Sequence, residues 1–399
     1  MNATAARTLP ALVVLLLIAV WAWHLSADPS ARGLTFSLLA GTAFGVILQR
    51  ARFCFLCNFR DFVERREPRG VIAIIVALAA GAALYTVVTM AWLPVPAPGS
   101  LPPNAHIGPV SPFLAIAALV FGLGMAVSGS CLSGHFYRLG EGSPTALFAI
   151  VGAGVGFLLG FLSWNPIWLS GISESSVIWL PHIFGYAGAL AGALVLCAAL
   201  LVGVVAFGRP ALADAEPRDG LSGLVRRIFV DRWPPVVGGL AIGALSAFYF
   251  LRVAPLGVTA ELGSIVRTAG RASGVLPETL LGLDTLRGCA TAVKQAVLSP
   301  NGLLVIGLIL GSFAAALTAG HFKPAWPTGT QIVKGLAGGA LMGWGAMTAL
   351  GCTVGVLLSG IHAGALSGWI FLVFCAFGVW IGLRGPAFLA RYGAAERGA

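Results

Sequence analysis

Seven cysteines stand in this chain of 399 residues, and two of them share a spacing. Gly122-Leu-Gly124, six residues, then Cys131-Leu-Ser-Gly134 is matched by Gly343-Trp-Gly345, six residues, then Cys352-Thr-Val-Gly355. A shorter echo links Arg52-Phe-Cys54 to Arg287-Gly-Cys289. A thiol in apolar sequence packs as a small hydrophobe, or it acts as a weak S–H donor. Gly129-Ser130 and Gly351 precede the two matched cysteines and favour a break in the helix at that depth. A broken helix inside a bilayer must face protein or a water-lined cavity. Its half-helix N-terminus then offers N–H groups and a partial positive charge to an anion. For one such cysteine, packing is the simpler account; with both at one register of a repeat, the two readings stand level.

The other candidates weaken on inspection. Cys54 and Cys57 form C-x2-C, but zinc needs about four ligands and no second pair with a suitable histidine lies nearby. Cys57 therefore reads as packing. An odd number of cysteines set in apolar sequence is not a secreted disulfide framework, so the thiols are expected to be free. Cys197 and Cys375 sit in mid-helix without a motif and read as core. His135 beside one cysteine is thin support for a metal, and no metal or other cofactor is expected. Arg138 and Glu141 are spaced to pair at i,i+3 as a structural clamp; the alternative is that Arg138 attracts an anion.

The elements that must position these residues follow from composition. Hydrophobic residues make up 58% of the chain and charged residues 10%, less than half the roughly 25% usual in soluble domains. Apolar runs long enough to cross a bilayer recur throughout and do not alternate with polar residues, which excludes a β-barrel. The expected fold is an all-α polytopic membrane protein. Residues 1–32 supply an extra N-terminal helix, read as retained rather than as a cleaved signal. Residues 33–208 and 234–385 form two halves, 209–233 is a cytoplasmic linker and 386–399 a tail. The net charge of +10 lies in short loops, as the positive-inside bias requires, and excludes nucleic acid as a partner. Arg50–Arg69 is placed in the cytoplasm and Pro94–Pro112 outside. Cys131 is then approached from outside and Cys352 from inside, so the halves are inverted, a transporter pattern. Residues 252–300 carry Arg267, Arg271, Arg287 and Lys294 and fit an outside loop badly.

Arg52-Phe-Cys54 with Phe59-Arg60-Asp61, then Gly122 to Glu141-Gly142, and finally Cys352-x-x-Gly355, resemble the YeeE/YedE family of sulphur-compound transporters. The match spans roughly Gly33 to Leu383. The resemblance implies an hourglass-like helical fold in the bacterial inner membrane and uptake of thiosulfate or a related sulphur anion. It also implies a central path lined by Cys54, Cys131 and Cys352. Cys289 is a lesser candidate for that path, as are Arg138 and Glu141, and the glycines Gly122, Gly124, Gly129, Gly134, Gly343, Gly345, Gly351 and Gly355 form its frame. The sequence departs from the family at Ser128-Gly-Ser-Cys131, where Gly-Gly-Cys is more usual. Neutral thiols suit transport, since several shallow sites let an anion in and still release it. A selenium compound is an alternative cargo. A membrane sulphur-transfer enzyme is the alternative class, and Cys54 between Arg52 and Arg60 is its one candidate for a reactive thiolate. A soluble sulphur-carrier partner is a further implication of the family.

Overall fold

Only a helix satisfies every backbone group from within its own segment, so long apolar stretches in lipid become helices. The computed structural model describes residues 3–97, 99–209, 226–227, 229–286 and 291–395. Among them nine helices are long and apolar enough to cross a membrane, or ten when a pair bent by 43° counts as one span. Helix α1 (Ala3–Ser26) comes first, and the first half then holds α2 (Arg32–Ala51), α3 (Phe55–Arg65), α4 (Arg69–Trp92), α5 (Pro112–Ser128), α6 (Leu132–Gly140), α7 (Pro144–Ile167) and α8 (Leu180–Phe207). The second holds α9 (Pro235–Arg252), α10 (Thr259–Ala272), α11 (Pro300–Ala319) and α12 (Gly329–Thr348). The chain then continues through α13 (Thr353–His362) and α14 (Leu366–Ala395).

The main packing partners lie across the halves. Helix α2 runs along α11, α4 along α9, α5 along α14 and α7 along α12, while α5 meets α12 at the centre. The repeated G-x-G explains much of this. A Cβ on Gly122 would stand 2.2 Å from the carbonyl oxygen of Cys375 on α14, and one on Gly343 would stand 2.1 Å from that of Ala153 on α7. The second glycines serve the central crossing: Gly124 faces the Gly338 carbonyl at 2.6 Å and Gly345 faces that of Ala117 at 2.7 Å. Each copy of the motif thus lets its helix touch one outer helix of the opposite half and then its own counterpart. Helix association in lipid depends on such close approach, because apolar burial gives little drive there.

One end of the bundle gathers arginine. The Arg50 guanidinium donates to the carbonyls of Phe229 and Val230 and to the Thr318 hydroxyl, and Arg209 N–H donates to the Arg66 carbonyl at 2.7 Å. The charge-dense stretch Arg50–Arg69 is not an open loop. It contains α3, whose Phe55 and Leu56 are buried and whose Phe59 and Phe62 pack on the core. An apolar face every three or four residues outweighs the charges on the other face.

Two of the cations that fit an outside loop badly, Arg267 and Lys294, are paired in place, and Arg287 lies outside the described residues. Arg267 pairs with Asp284 at 2.8 Å and donates to the Thr291 carbonyl at 2.6 Å, and Lys294 pairs with Glu261. Most of the proposed linker, residues 210–225 and 228, lies outside the described residues, as does Cys289.

Replacing Gly343 by Val should lower stability by about 1–3 kcal/mol through overpacking. Thermal unfolding of purified protein in detergent checks this, with Gly192→Ala as a control, since a Cβ there meets nothing within 4 Å.

Candidate functional site

Three of the helix breaks are built alike. Helix α2 ends on Arg52 in left-handed backbone, φ 49°, and α3 starts after Cys54. Helix α5 ends on Gly129, φ 84°, and α6 starts after Cys131. Past α12, Leu350 has φ 63° and α13 starts after Cys352. Each break therefore reads as one left-handed residue, one connecting residue, then an extended cysteine at the N-cap. The first-turn N–H groups behind each cysteine have no helical carbonyl to reach. They surround the thiol with donors and the positive end of a short dipole. A fourth break joins α9 to α10, and its N-cap is Val258. It carries no thiol.

Two of the breaks meet. The Cys54 and Cys131 sulfurs are 3.6 Å apart, both wholly buried. Ser130 Oγ lies 3.5 Å from Cys54 Sγ, and Ser133 Oγ lies 3.4 Å from Cys131 Sγ. Gly134 forms the wall of this cluster: a Cβ there would stand 2.1 Å from Ser130 Oγ and 3.2 Å from each sulfur. Two thiols, two hydroxyls and two helix N-termini thus converge on one point.

Cys352 stands apart from the pair. It is wholly buried, and its sulfur accepts from Val354 N–H at 3.4 Å. Its neighbour Thr353 lines an apolar cavity of about 430 Å³ together with Phe55, Met125 and Cys375. Phe55 follows Cys54, so the cavity runs between the two cysteine-bearing breaks. Cys197 and Cys375 are buried in the core.

Below the thiol pair, Arg138 donates to the Gly129 carbonyl at 3.2 Å and to Cys57 Sγ at 3.1 Å. It ties the α5–α6 break to α3. The i,i+3 clamp to Glu141 is not what forms: Gln49 Nε2 reaches Glu141 Oε1 at 3.4 Å and His321 Nδ1 at 3.1 Å. Burial holds the Glu141 carboxyl above its ordinary 4.5, while Arg52, the Gln49 bond, Arg138 and Arg232 pull it down. Burial also lowers the His321 pKa, as do the nearby charges of Arg232, Arg52, Arg50 and Lys323. Cations thus rim this end of the bundle around one carboxyl. His135 Nε2 rests 3.1 Å from Ser128 Oγ, and among the described residues no group of three or more His, Cys, Asp or Glu side chains is placed to hold a metal ion.

Comparison with known proteins fits this geometry. The sulphur-transport family model matches residues 50–381, from the first break to the end of the core. The chain belongs to the sulphur-transport family. The thiosulfate transporter TsuA of Spirochaeta thermophila is 31% identical over 361 residues, 86% of this chain and 96% of its own length. The thiosulfate transporter TsuA of Escherichia coli is 26% identical over 362 residues, 86% and 92% respectively. The probable transporter YedE of Escherichia coli is 30% identical over 157 residues, 38% of this chain and 37% of its own length. This protein is accordingly a multi-pass membrane transporter and not an enzyme.

Several residues of the candidate site were hidden from the sequence. Ser130, Ser133 and Gln49 touch its named residues, but serines and a glutamine near helix ends carry no signal of their own. Cys57 takes a hydrogen bond from Arg138 rather than serving only as packing. At the third break Leu350 (φ 63°) and Gly351 (φ 156°) both have positive φ, so the glycine before Cys352 does mark the break, and the leucine beside it carried no signal.

Two outcomes are expected. Mild oxidation should join Cys54 to Cys131, given their separation, and peptide mass spectrometry should find that bond while Cys197 stays reduced. The second concerns pH. Because the folded protein holds the Glu141 proton more tightly than the unfolded chain, stability falls as pH rises above 4.5, the direction linkage requires for a raised carboxyl. Glu141→Gln should therefore melt higher than wild type at neutral pH, with the gain vanishing below 4.5.

Proposed function

We propose that this chain carries thiosulfate, or a close sulphur oxyanion, through a bacterial inner membrane along a path formed by Cys54, Cys131 and Cys352. The observation that carries the reading is the pair of N-cap thiols 3.6 Å apart at converging half-helices. Thiosulfate is a small dianion, and leaving water unassisted would cost on the order of tens of kcal/mol. Donors must replace that water along the whole path. A fixed lysine or arginine in contact with the anion would hold it too firmly to release it. Hydrogen bonds to a charged ligand are each worth about 1.5–3 kcal/mol, so a handful of neutral donors offsets part of the cost and leaves each station shallow. Shallow stations in series permit both uptake and release.

The breaks in α5–α6 and α12–α13 play corresponding parts in halves of opposite sense. Glu141, just past α6, adjoins Gln49 and Lys323 at the arginine-rich end. Ala363, just past α13, accepts from the Trp179 indole at 2.7 Å, beside the start of α8. The arginine-rich end suits the cytoplasm by the positive-inside bias. There Arg52, Arg138, Arg232 and Lys323 favour the anion's arrival on that side, and Glu141 keeps their field from trapping it. Residues 33–208 and 234–385 are the two halves, joined by 209–233. The cargo named for the two TsuA relatives supports thiosulfate over a selenium compound.

A sulphur-starved host expressing this chain should grow on thiosulfate as its only sulphur source. Cys54→Ala, Cys131→Ala and Cys352→Ala should each cut uptake about tenfold, the equivalent of one lost hydrogen bond to charge, and Cys197→Ala should leave it unchanged. Normal uptake by both Cys131→Ala and Cys352→Ala would overturn the thiol path; absence of growth with the protein present in the membrane would overturn the cargo.

A further inference from the structure

The α12–α13 break separates two small enclosed cavities that the thiol path does not use. One is bordered by Thr348, Leu350 and Ser367, with Ser111 and the neutral ring of His106 beside them. The other is bordered by Thr259, Thr291, Leu350 and Gly351. Each has room for about 10 Å³, which is about one water. The hydroxyls of Thr348, Ser367, Thr259 and Thr291 are buried, and among the described residues none has a hydrogen-bond partner. Four orphaned hydroxyls around one break are unusual, since buried polar groups nearly always find partners. Ser and Thr in helices ordinarily donate to their own backbone, as Thr42 and Thr89 of this chain do. These four instead border open space.

Leu350 lies between the two cavities and borders both. Its backbone is left-handed at φ 63°, a conformation that glycine takes freely and a leucine does not. At the corresponding break before Cys131 the left-handed residue is Gly129. A bulky apolar side chain in a strained backbone, set between two hydroxyl pockets, marks a place where a minor conformation is close in energy.

We propose that this break is a second anion station, in which Thr259, Thr291, Thr348 and Ser367 donate to the oxygens of a sulphur oxyanion and Leu350 is the apolar gate between its two half-pockets. With Leu350 in place neither pocket admits more than a water. When it moves aside the two join, and four neutral donors face one volume directly before Cys352. The ligand class follows from the donors: hydroxyls bind oxygens well and sulphur poorly, whereas the thiol pair is matched to the softer end of the anion. The station rests on the transport reading above and deepens it by adding a hydroxyl-lined stage on the side of the path remote from the arginine-rich end.

The test uses full-length protein, with thiosulfate uptake in proteoliposomes and thiosulfate binding to detergent-purified protein as separate readouts. Thr259→Val with Thr291→Val removes two donors without changing side-chain shape, and Thr348→Val with Ser367→Ala removes the other two. Each double variant should lose about tenfold in uptake, the scale of a lost hydrogen bond to a charged ligand, while binding at the Cys54–Cys131 pair changes less than about twofold. Thr259→Ser with Thr291→Ser should retain wild-type uptake. Leu350→Gly should raise the uptake rate, because it removes both the plug and the strain. Hydroxyls that merely hold water predict the opposite, since removing an orphaned buried polar group stabilises the fold and leaves transport alone. Wild-type uptake by both valine-bearing doubles would overturn the station, and an unchanged or slower Leu350→Gly would overturn the gate. A wild-type protein that neither binds nor carries thiosulfate would overturn the transport reading and the station together.

Discussion

Lipid offers no hydrogen bonds, so each backbone N–H that a helix break frees must be met by protein, by trapped water or by cargo. That constraint organises this molecule. Three breaks place an N-cap cysteine at the start of a half-helix, and the surrounding helices keep lipid from reaching those freed groups. The crossings of α5 with α14, of α7 with α12 and of α5 with α12 run over bare glycine backbone. This tight frame is what holds two breaks within thiol contact of each other.

On the proposed path, charge stands at the rim. The closest guanidinium to the thiol pair, that of Arg138, is spent on the Gly129 carbonyl and Cys57 sulfur. It fixes the break in place rather than offering an unpaired charge beside it. The remaining basic residues gather where α2, α6, α9 and α11 have their arginine-rich ends, and Glu141 sits among them. On the proposed reading, a long-range attractive field at the cytoplasmic end with short-range donors inside would draw the anion inward while each station stays shallow. Selectivity in such an arrangement comes from the match between donor type and ligand atom.

The broad fold was legible because hydropathy and loop charge are strong signals over twenty residues. So was the pairing of Cys131 with Cys352, since G-x-G-x6-C encodes two helix crossings and a break at once. Arg52-Phe-Cys54 proved more informative than its length suggested: the arginine takes the left-handed turn that Gly129 takes at the second break. What no sequence pattern carried was contact between distant residues. Cys54 and Cys131 are 77 positions apart, and nothing local says that their breaks converge. The helix within Arg50–Arg69 was not legible from charge alone, because α3 carries its charges on one face and its phenylalanines on the other. Nor could the sequence show that two cations of 252–300, Arg267 and Lys294, find their partners Asp284 and Glu261 on the same stretch.

The central claim is that neutral thiols donate to the passing anion. Infrared spectroscopy of the S–H stretch in purified protein addresses it directly, because that band reports both protonation and hydrogen bonding. Adding thiosulfate should move part of the band to lower frequency in wild type, and the shift should be absent from a Cys54→Ala, Cys131→Ala double variant. Loss of the band on adding thiosulfate, signalling thiolate or a covalent adduct, would contradict the account, as would a band that does not move.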